Sequence, residues 1–161
     1  MSPTGALWSR EELAEELTAR RSRGELRRVV LANGCFDVLH PGHVHHLRDA
    51  RALGDALVVA LNSDASVRGQ KGPGRPLQTL ADRAEVVGAL RAVDYVTSFD
   101  EPTLHATLRA LRPEVHAKGL DYAGGVPEAA LDLELGIELA LTGPPKERSS
   151  SELIARLGDP P

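Results

Sequence analysis

A short apolar run that gives way abruptly to a helical pattern constrains this chain more than any other feature. Residues 29–31 are β-branched or aliphatic, Asn33 and Gly34 end the run, and a helical pattern opens at Pro41. A helix that begins there leaves its first backbone N–H groups without partners and carries about +0.5 of an elementary charge at that end. The stretch therefore predicts a strand–turn–helix unit whose helix N-terminus attracts an anion.

Two histidines flank this helix start. His40 lies just before it and His43 lies in its first turn, with Pro41 and Gly42 between them. Both rings can point at one ligand, and imidazole N–H groups donate to phosphate oxygens, which in turn favour the charged ring. The pattern predicts a polyphosphate site. The alternative is a pair of surface histidines at a helix start.

Strand and helix patterns alternate along the rest of the chain. The continuous apolar run at residues 57–61 suits a strand that is covered on both faces of a parallel sheet. We predict a single doubly wound α/β domain, Rossmann-like, with a parallel five-stranded sheet over residues 28–158 and an N-terminal helical extension over residues 1–27. Ligands of such folds bind at the carboxyl ends of the strands, where residues 33–43, 62–64, 118–122 and 146–151 fall.

Composition excludes several classes of function. The net charge is −4 and aromatic residues make up 3% of the chain, so we expect no nucleic-acid partner. Cys35 is the single cysteine and has no internal disulfide partner. The N-terminus lacks a signal-peptide pattern, and no apolar run approaches the roughly 18 residues that a membrane span requires. We expect a cytoplasmic protein with no membrane partner.

The string GCFDVLHPGH at residues 34–43 contains a His-x-Gly-His motif, and further strings follow it in order. They are LNSD at 61–64, KGPGRP at 71–76, Asp82-Arg83, Val93-Asp94, KGLDY at 118–122 and SSSELI at 149–154. Over residues 28–157 the chain resembles the cytidylyltransferase-like nucleotidyltransferases, and within them the branch that makes ADP-heptose from heptose 1-phosphate and ATP. A glycerol-3-phosphate cytidylyltransferase that uses CTP shares the first string and is the alternative.

The resemblance implies an in-line attack of a sugar 1-phosphate oxygen on the α-phosphorus of ATP, with Mg²⁺ bridging phosphates, in a homodimeric enzyme. It implies catalytic roles for His40, His43 and Lys71, the last on a mobile Gly- and Pro-rich lid with help from Arg75. We expect the remaining site residues to bind the nucleotide or the sugar phosphate. They are Asn33, Gly34, Cys35, Phe36, Gly42, Asn62, Asp64, Arg83, Lys118, Gly119, Asp121, Ser149, Ser150 and Ser151.

Several of these residues have plainer alternatives. Asp37 and Asp64 either cap turns or orient sugar hydroxyls or a cation. Arg83 is interpreted as a phosphate contact, against a surface charge, and Cys35 as a small packing residue rather than a nucleophile. No metal ligand is predicted, because His45 and His46 are adjacent on a helix and point about 100° apart.

The serines at the last helix start depart from the family pattern. Ser150 and Ser151 stand where the family has threonine, and the lead-in at residues 146–148 reads Lys-Glu-Arg. Hydroxyls and free N–H groups still predict a second phosphate contact there. The KGLDY string favours ATP and the altered lead-in does not, and we expect a preference for ATP over CTP, with CTP as the alternative.

Overall fold

The computed structural model describes residues 6–145 and 149–158 and contains a six-stranded sheet with helices on both faces. The strands are β1 (Leu7–Trp8), β2 (Val29–Gly34), β3 (Ala56–Asn62), β4 (Tyr95–Phe99), β5 (Val115–Gly119) and β6 (Glu138–Thr142). The helices are α1 (Arg10–Ser22), α2 (Pro41–Arg51), α3 (Asp64–Lys71), α4 (Leu80–Gly88), α5 (His105–Leu111), α6 (Ala129–Leu135) and α7 (Ser150–Gly158). A single 3₁₀ turn, Leu120–Tyr122, follows β5.

Local sequence signals set several helix starts. Ser9 and Glu12 form a reciprocal capping box at α1, and the Thr79 hydroxyl accepts the Asp82 N–H at the start of α4. Ser149 and Glu152 form another reciprocal capping box at the start of α7. Each cap satisfies backbone N–H groups that a helix start leaves without partners, so these boundaries follow from a few neighbouring residues.

All strand pairs are parallel, in the order β1-β4-β3-β2-β5-β6. The doubly wound α/β prediction is confirmed. The chain adds strands on one side of β2 through β3 and β4, and on the other side through β5 and β6. Neighbouring β2 and β5 therefore form the topological switch point, where open α/β sheets leave a crevice at their carboxyl ends.

The sheet has six strands rather than the expected five. The sixth is β1, whose Leu7 and Trp8 pair with Val96 and Thr97 of β4. A two-residue strand carries no periodicity, so it left no signal in the sequence. With α1 packed by Leu13 and Leu17 into the main core, the described part of the expected extension over residues 1–27 belongs to the same domain.

Two apolar clusters sandwich the sheet. Val29 and Leu31 face one cluster with α1, α5 and α6, whereas Val30 and Ala32 face the other with α2 and α4. This alternation is the two-residue period of a strand with both faces covered. It makes the sheet a rigid base whose carboxyl ends position the polar residues described next.

Candidate active site

A cavity of about 730 Å³ opens at the carboxyl ends of β2 and β5, at the switch point of the sheet. It collects residues that are far apart in the chain. Of the predicted site residues, all except Asp64 and Arg83 line it: Asn33, Gly34, Cys35, Phe36, His40, Gly42, His43, Asn62, Lys71, Lys118, Gly119, Asp121, Ser149, Ser150 and Ser151. Their placement agrees with the sequence analysis, while their roles stay predictions.

The histidine pair is built by the N-terminus of α2. His40 is the N-cap residue in an extended conformation, and its ring Nδ1 accepts the Gly42 N–H at 3.1 Å. The His43 ring stacks on that of His40 with ring centroids 3.8 Å apart, and Phe36 contacts the His43 ring with centroids 5.1 Å apart. Because Nδ1 of His40 accepts, the neutral ring carries its hydrogen on Nε2 and donates from that nitrogen.

Gly42 is needed because the His40 ring folds over it. A Cβ at this position would lie 2.8 Å from Cε1 and 2.9 Å from Nδ1 of His40. Real Cβ contacts are longer than this, so a side chain at position 42 would displace the ring and break its hydrogen bond. The small residue between the two histidines thus determines where the first imidazole points.

Lys71 lies at the cavity wall but not on a loop. It is the last residue of α3, which begins after its Ser63 N-cap and ends at Gly72, where φ is 97°. The expectation that Lys71 belongs to the Gly- and Pro-rich loop is wrong, because the helix continues one residue into that string. Its side chain is exposed, and its positive charge acts to lower the pKa of the Cys35 thiol. Burial nevertheless raises the pKa of the Cys35 thiol, which suits a packing residue.

The loop after α3 is fastened to the turn that follows β2. Arg75 Nε donates to Asp37 Oδ2 at 2.7 Å, and the Leu77 and Gln78 N–H groups donate to the same carboxylate. Asp37 is 1% exposed. Burial alone would raise its pKa, but these donors lower it below its ordinary value. With these donors around it, Asp37 orders the loop and is not an available ligand for a sugar or a cation.

Arg83 does not line the cavity, contrary to the prediction of a phosphate contact. Its side chain is 0% exposed, and Nη2 donates to Asp64 Oδ1 at 2.7 Å. The guanidinium also donates to the carbonyl oxygens of Cys35, Asn62 and Gln78. The expected phosphate contact is corrected to a structural role, because these bonds engage every nitrogen of the group. Asp64 is likewise engaged by this ion pair outside the cavity lining.

A polar cluster joins Asn33 and Lys118 of the cavity lining to His116, Asp132 and Glu128, three buried residues that the sequence analysis missed. Asn33 Oδ1 lies 3.2 Å from His116 Nε2 and 3.3 Å from Lys118 Nζ. His116 Nδ1 lies 2.8 Å from Asp132 Oδ2, and Lys118 Nζ lies 3.9 Å from Glu128. Burial lowers the pKa of Lys118, an effect that Glu128 partly offsets. A histidine within an apolar strand and an aspartate among helix leucines were the available signals, but only the fold pairs them.

The remaining polar wall comes from α2 and β6. His46 Nδ1 lies 2.7 Å from Thr142 Oγ1, and burial lowers the pKa of this histidine. His46 is thus tied to β6. Within the described part of the chain, no group of three or more histidine, cysteine or carboxylate residues is arranged to hold a metal ion.

The N-terminus of α7 closes the cavity on a further side. Ser150 Oγ donates to the Val38 carbonyl at 2.8 Å, and Ser151 Oγ lies 3.5 Å from Arg75 Nη1. Ser149 caps the helix, as predicted. The lead-in at residues 146–148, which bears on the choice of base, lies outside the described residues.

A parallel sheet with a helix N-terminus and two stacked histidines at its switch point is an arrangement typical of α/β proteins with a phosphate-binding site. The chain belongs to the cytidylyltransferase-like family, whose sequence model matches residues 31–156.

Individual relatives agree with this assignment. The chain is 48% identical over 160 residues to the bifunctional protein HldE of Azorhizobium caulinodans, covering 97% of this chain and 32% of that protein. It is 53% identical over 142 residues to the bifunctional protein HldE of Streptomyces coelicolor, covering 88% of this chain and 31% of that protein. The chain therefore spans about a third of the length of these curated relatives.

A solved structure shares the fold. The lipopolysaccharide core biosynthesis protein from Thermoplasma volcanium superposes with a TM-score of 0.63 at 26% sequence identity, covering 74% of this chain and 98% of that chain. Among residues 6–145 and 149–158, no helix combines the length and apolar character that a bilayer span requires.

Proposed function

We propose that this chain is a nucleotidyltransferase that transfers AMP from ATP to heptose 1-phosphate, giving ADP-heptose and pyrophosphate. The observation that carries the proposal is the stacked His40–His43 pair at the N-terminus of α2, facing a cavity of about 730 Å³. The HldE relatives and the ordered strings from residue 34 to residue 154 support the sugar and the base. A phosphate oxygen of the acceptor bonds to the α-phosphorus, and the bond from that phosphorus to the bridging oxygen of pyrophosphate breaks.

The protein contributes alignment and charge stabilisation to this step. His40 and His43 line the cavity, and we expect Nε2–H of His40 and the ring of His43 to face the phosphates, where negative charge develops in the transition state. Lys71 adds a cation from the cavity lining. No covalent intermediate is required, because the acceptor oxygen itself is the nucleophile.

Mg²⁺ fits this cavity as a partner of the triphosphate. Asp121 supplies a carboxylate on the cavity wall, and oxygen ligands are those that Mg²⁺ prefers. Asp37 is excluded as a ligand because its carboxylate is engaged by the loop donors. When bound with ATP, Mg²⁺ neutralises phosphate charge. We also propose that the protein is cytoplasmic and that it forms a homodimer. Sedimentation of the purified chain tests the homodimer by its mass.

Pyrophosphate release tests the function directly. Purified protein with Mg²⁺ is mixed with ATP, CTP or GTP and with a panel containing both anomers of heptose 1-phosphate and glycerol 3-phosphate. We expect the highest turnover with ATP and heptose 1-phosphate, since a site that hydrogen-bonds one base leaves groups unpaired with another. Faster turnover of CTP with glycerol 3-phosphate would assign the chain to the cytidylyltransferase alternative.

A His43→Ala variant tests the site. We expect turnover to fall by roughly 10²- to 10³-fold, the loss typical of one donor to a developing charge, with a small change in melting temperature. His105→Ala removes an exposed histidine that is not part of the cavity lining and serves as the control. Full activity of His43→Ala would refute the proposed site.

A further inference from the structure

A buried pair, His116 on β5 and Asp132 on α6, stands behind the cavity and takes no part in the transfer step. The two residues are 0% and 1% exposed, and their facing atoms, Nδ1 and Oδ2, are 2.8 Å apart. In the described structure neither belongs to the cavity lining. Nε2 of His116 lies 3.2 Å from Oδ1 of Asn33, which does line the cavity. The pair therefore contacts the cavity lining through Asn33.

The orientation of the Asn33 amide follows from the chemistry of its neighbours. Lys118 Nζ lies 3.3 Å from the same Oδ1, and an ammonium group only donates, so the atom facing it must be the oxygen. Glu128, 3.9 Å from Nζ, holds the ammonium in place. With the oxygen occupied by two donors, Nδ2 of Asn33 is the end of the amide that remains available to a ligand in the cavity.

The protons of the pair follow from the same geometry. Asn33 Oδ1 accepts, so His116 must carry a hydrogen on Nε2. A second hydrogen lies between His116 Nδ1 and Asp132 Oδ2. Whichever of these two atoms it is bonded to, the two residues together are electrically neutral. Removal of the His116 donor would leave Lys118 alone to hold the amide, which then turns more readily to present its oxygen to the cavity.

We propose that His116, held by Asp132, is a positioning residue that keeps the Asn33 amide turned so that Nδ2 donates to a phosphate oxygen of the bound nucleotide. The inference deepens the proposed function and rests on it. The amide oxygen in that position would repel the phosphate. By holding the amide in one orientation, the pair ensures that Asn33 presents its NH₂ group to the ligand.

The double variant His116→Leu/Asp132→Leu removes both members of the pair, and Lys118 remains as a donor to Asn33 Oδ1. Replacing both members of a buried pair with apolar groups is often neutral for stability, so we expect this variant to fold. ATP binding, measured by calorimetry with Mg²⁺ and no acceptor, should weaken by roughly 3- to 10-fold, the value of one neutral hydrogen bond. His116→Gln keeps a side-chain N–H and should bind ATP within about twofold of the wild type.

A double-mutant cycle separates positioning from general destabilisation. Asn33→Ala should weaken ATP binding by roughly 10- to 100-fold, and the leucine pair should add nothing further in that background. An equal effect of the leucine pair with and without Asn33 overturns the proposal. Thr97→Val is the matched stability control, because it removes a buried hydrogen bond to the Trp8 carbonyl, 3.0 Å away, on the distant side of the sheet. It should leave ATP affinity unchanged.

A measurement on the wild type keeps the proposal testable if the leucine pair does not fold. The Asn33 side-chain NH₂ signals, assigned by comparison with Asn33→Ala in ¹⁵N spectra, should shift when pyrophosphate or ATP is added. Signals that stay in place at saturation overturn the proposal. Wild-type protein that binds no nucleotide contradicts the proposed function itself, whereas unaltered binding by the leucine pair contradicts only the positioning role.

Discussion

Gly42 has its effect through another residue. The His40 ring covers it at 2.8 Å from where a Cβ would stand, so the imidazole position depends on the absence of a side chain two residues along. The same logic applies to Arg83, whose donors hold the Cys35, Asn62 and Gln78 carbonyls in place. At the residue scale, the site is determined as much by groups that keep others in place as by those that face the cavity.

Gly42→Ala should lower turnover by about 10-fold or more while the free energy of unfolding changes little. The methyl group displaces the His40 ring, so a donor is no longer well placed. Complete loss of such a donor lowers the turnover rate by roughly 10²- to 10³-fold. Steady-state kinetics and urea unfolding measure the two effects. Gly69→Ala is the control: it lies in α3 with open space around it, and alanine should stabilise the helix by about 0.5–1 kcal/mol. Unchanged kinetics of Gly42→Ala would mean that the ring tolerates the methyl group.

Arg83→Met should lower the free energy of unfolding by roughly 3–5 kcal/mol, because it breaks a buried ion pair and leaves carbonyls without their donor. Urea denaturation measures this loss. Arg109→Met breaks an exposed pair with Glu134, 3.2 Å apart, and should cost less than about 1 kcal/mol. A stable Arg83→Met protein with weakened ATP binding would instead restore the phosphate contact expected from the sequence.

At the scale of elements, the loop after α3 is joined to the turn after β2 by a single carboxylate. Asp37 binds three donors from residues 75–78, and Arg75 continues to Ser151 in the first turn of α7. The turn, the loop and the last helix are thus connected by hydrogen bonds. A Gly- and Pro-rich composition indicates a loop, but it does not show that the loop is anchored.

Asp37→Asn should lower the free energy of unfolding by roughly 1–3 kcal/mol at neutral pH, since the amide cannot accept from all these donors. The folded pKa of Asp37 is below its ordinary value, so its contribution is present at neutral pH and is lost as pH falls below about 4. Urea unfolding at a series of pH values should show a shallower acid decline in the variant than in the wild type. Asp100→Asn, on the surface, should keep the wild-type decline; identical slopes for all three proteins would contradict the assignment.

At the scale of the whole molecule, the edge strand β1 lies away from the strands whose ends carry the cavity. The cavity lies over β2 and β5, whereas β1 is at the β4 edge, where Trp8 packs edge-on against Tyr95 with ring centroids 5.8 Å apart. Arg20 of α1 also donates to the Tyr95 hydroxyl at 2.6 Å. The N-terminal residues therefore complete the core at a distance from the site.

Trp8→Ala should cost about 3 kcal/mol of unfolding free energy, at the lower end for a buried tryptophan because this ring is only partly buried. The kinetic constants of the folded enzyme should stay within about twofold of the wild type. Thermal melting and initial rates below the transition check both statements. Leu7→Ala, at a more exposed position of the same strand, is the comparison and should cost less. A large loss of kcat in folded Trp8→Ala would show that the edge strand shapes the cavity.

Interactions between near neighbours were readable from the sequence. The Asn33-to-His43 unit, the caps at Ser9, Thr79 and Ser149, and the alternation of strands and helices all depend on residues a few positions apart. Parallel pairing then brings strand ends to one edge, which is why the cavity collects almost all of the predicted site residues. Boundaries shifted where composition was ambiguous, as at Lys71, which ends a helix instead of entering the loop.

Only the tertiary structure decided which polar groups satisfy one another. Arg83 meets the Cys35 carbonyl across 48 positions, and His116 meets Asn33 across 83. A buried donor must find an acceptor, but the sequence does not say which one, because that depends on the elements that topology places side by side. The two-residue β1 likewise exists because β4 offers an edge, not because of its own pattern. The sequence determined the fold class and the strand–turn–helix unit, while long-range packing determined which charged side chains line the cavity and which hold its walls together.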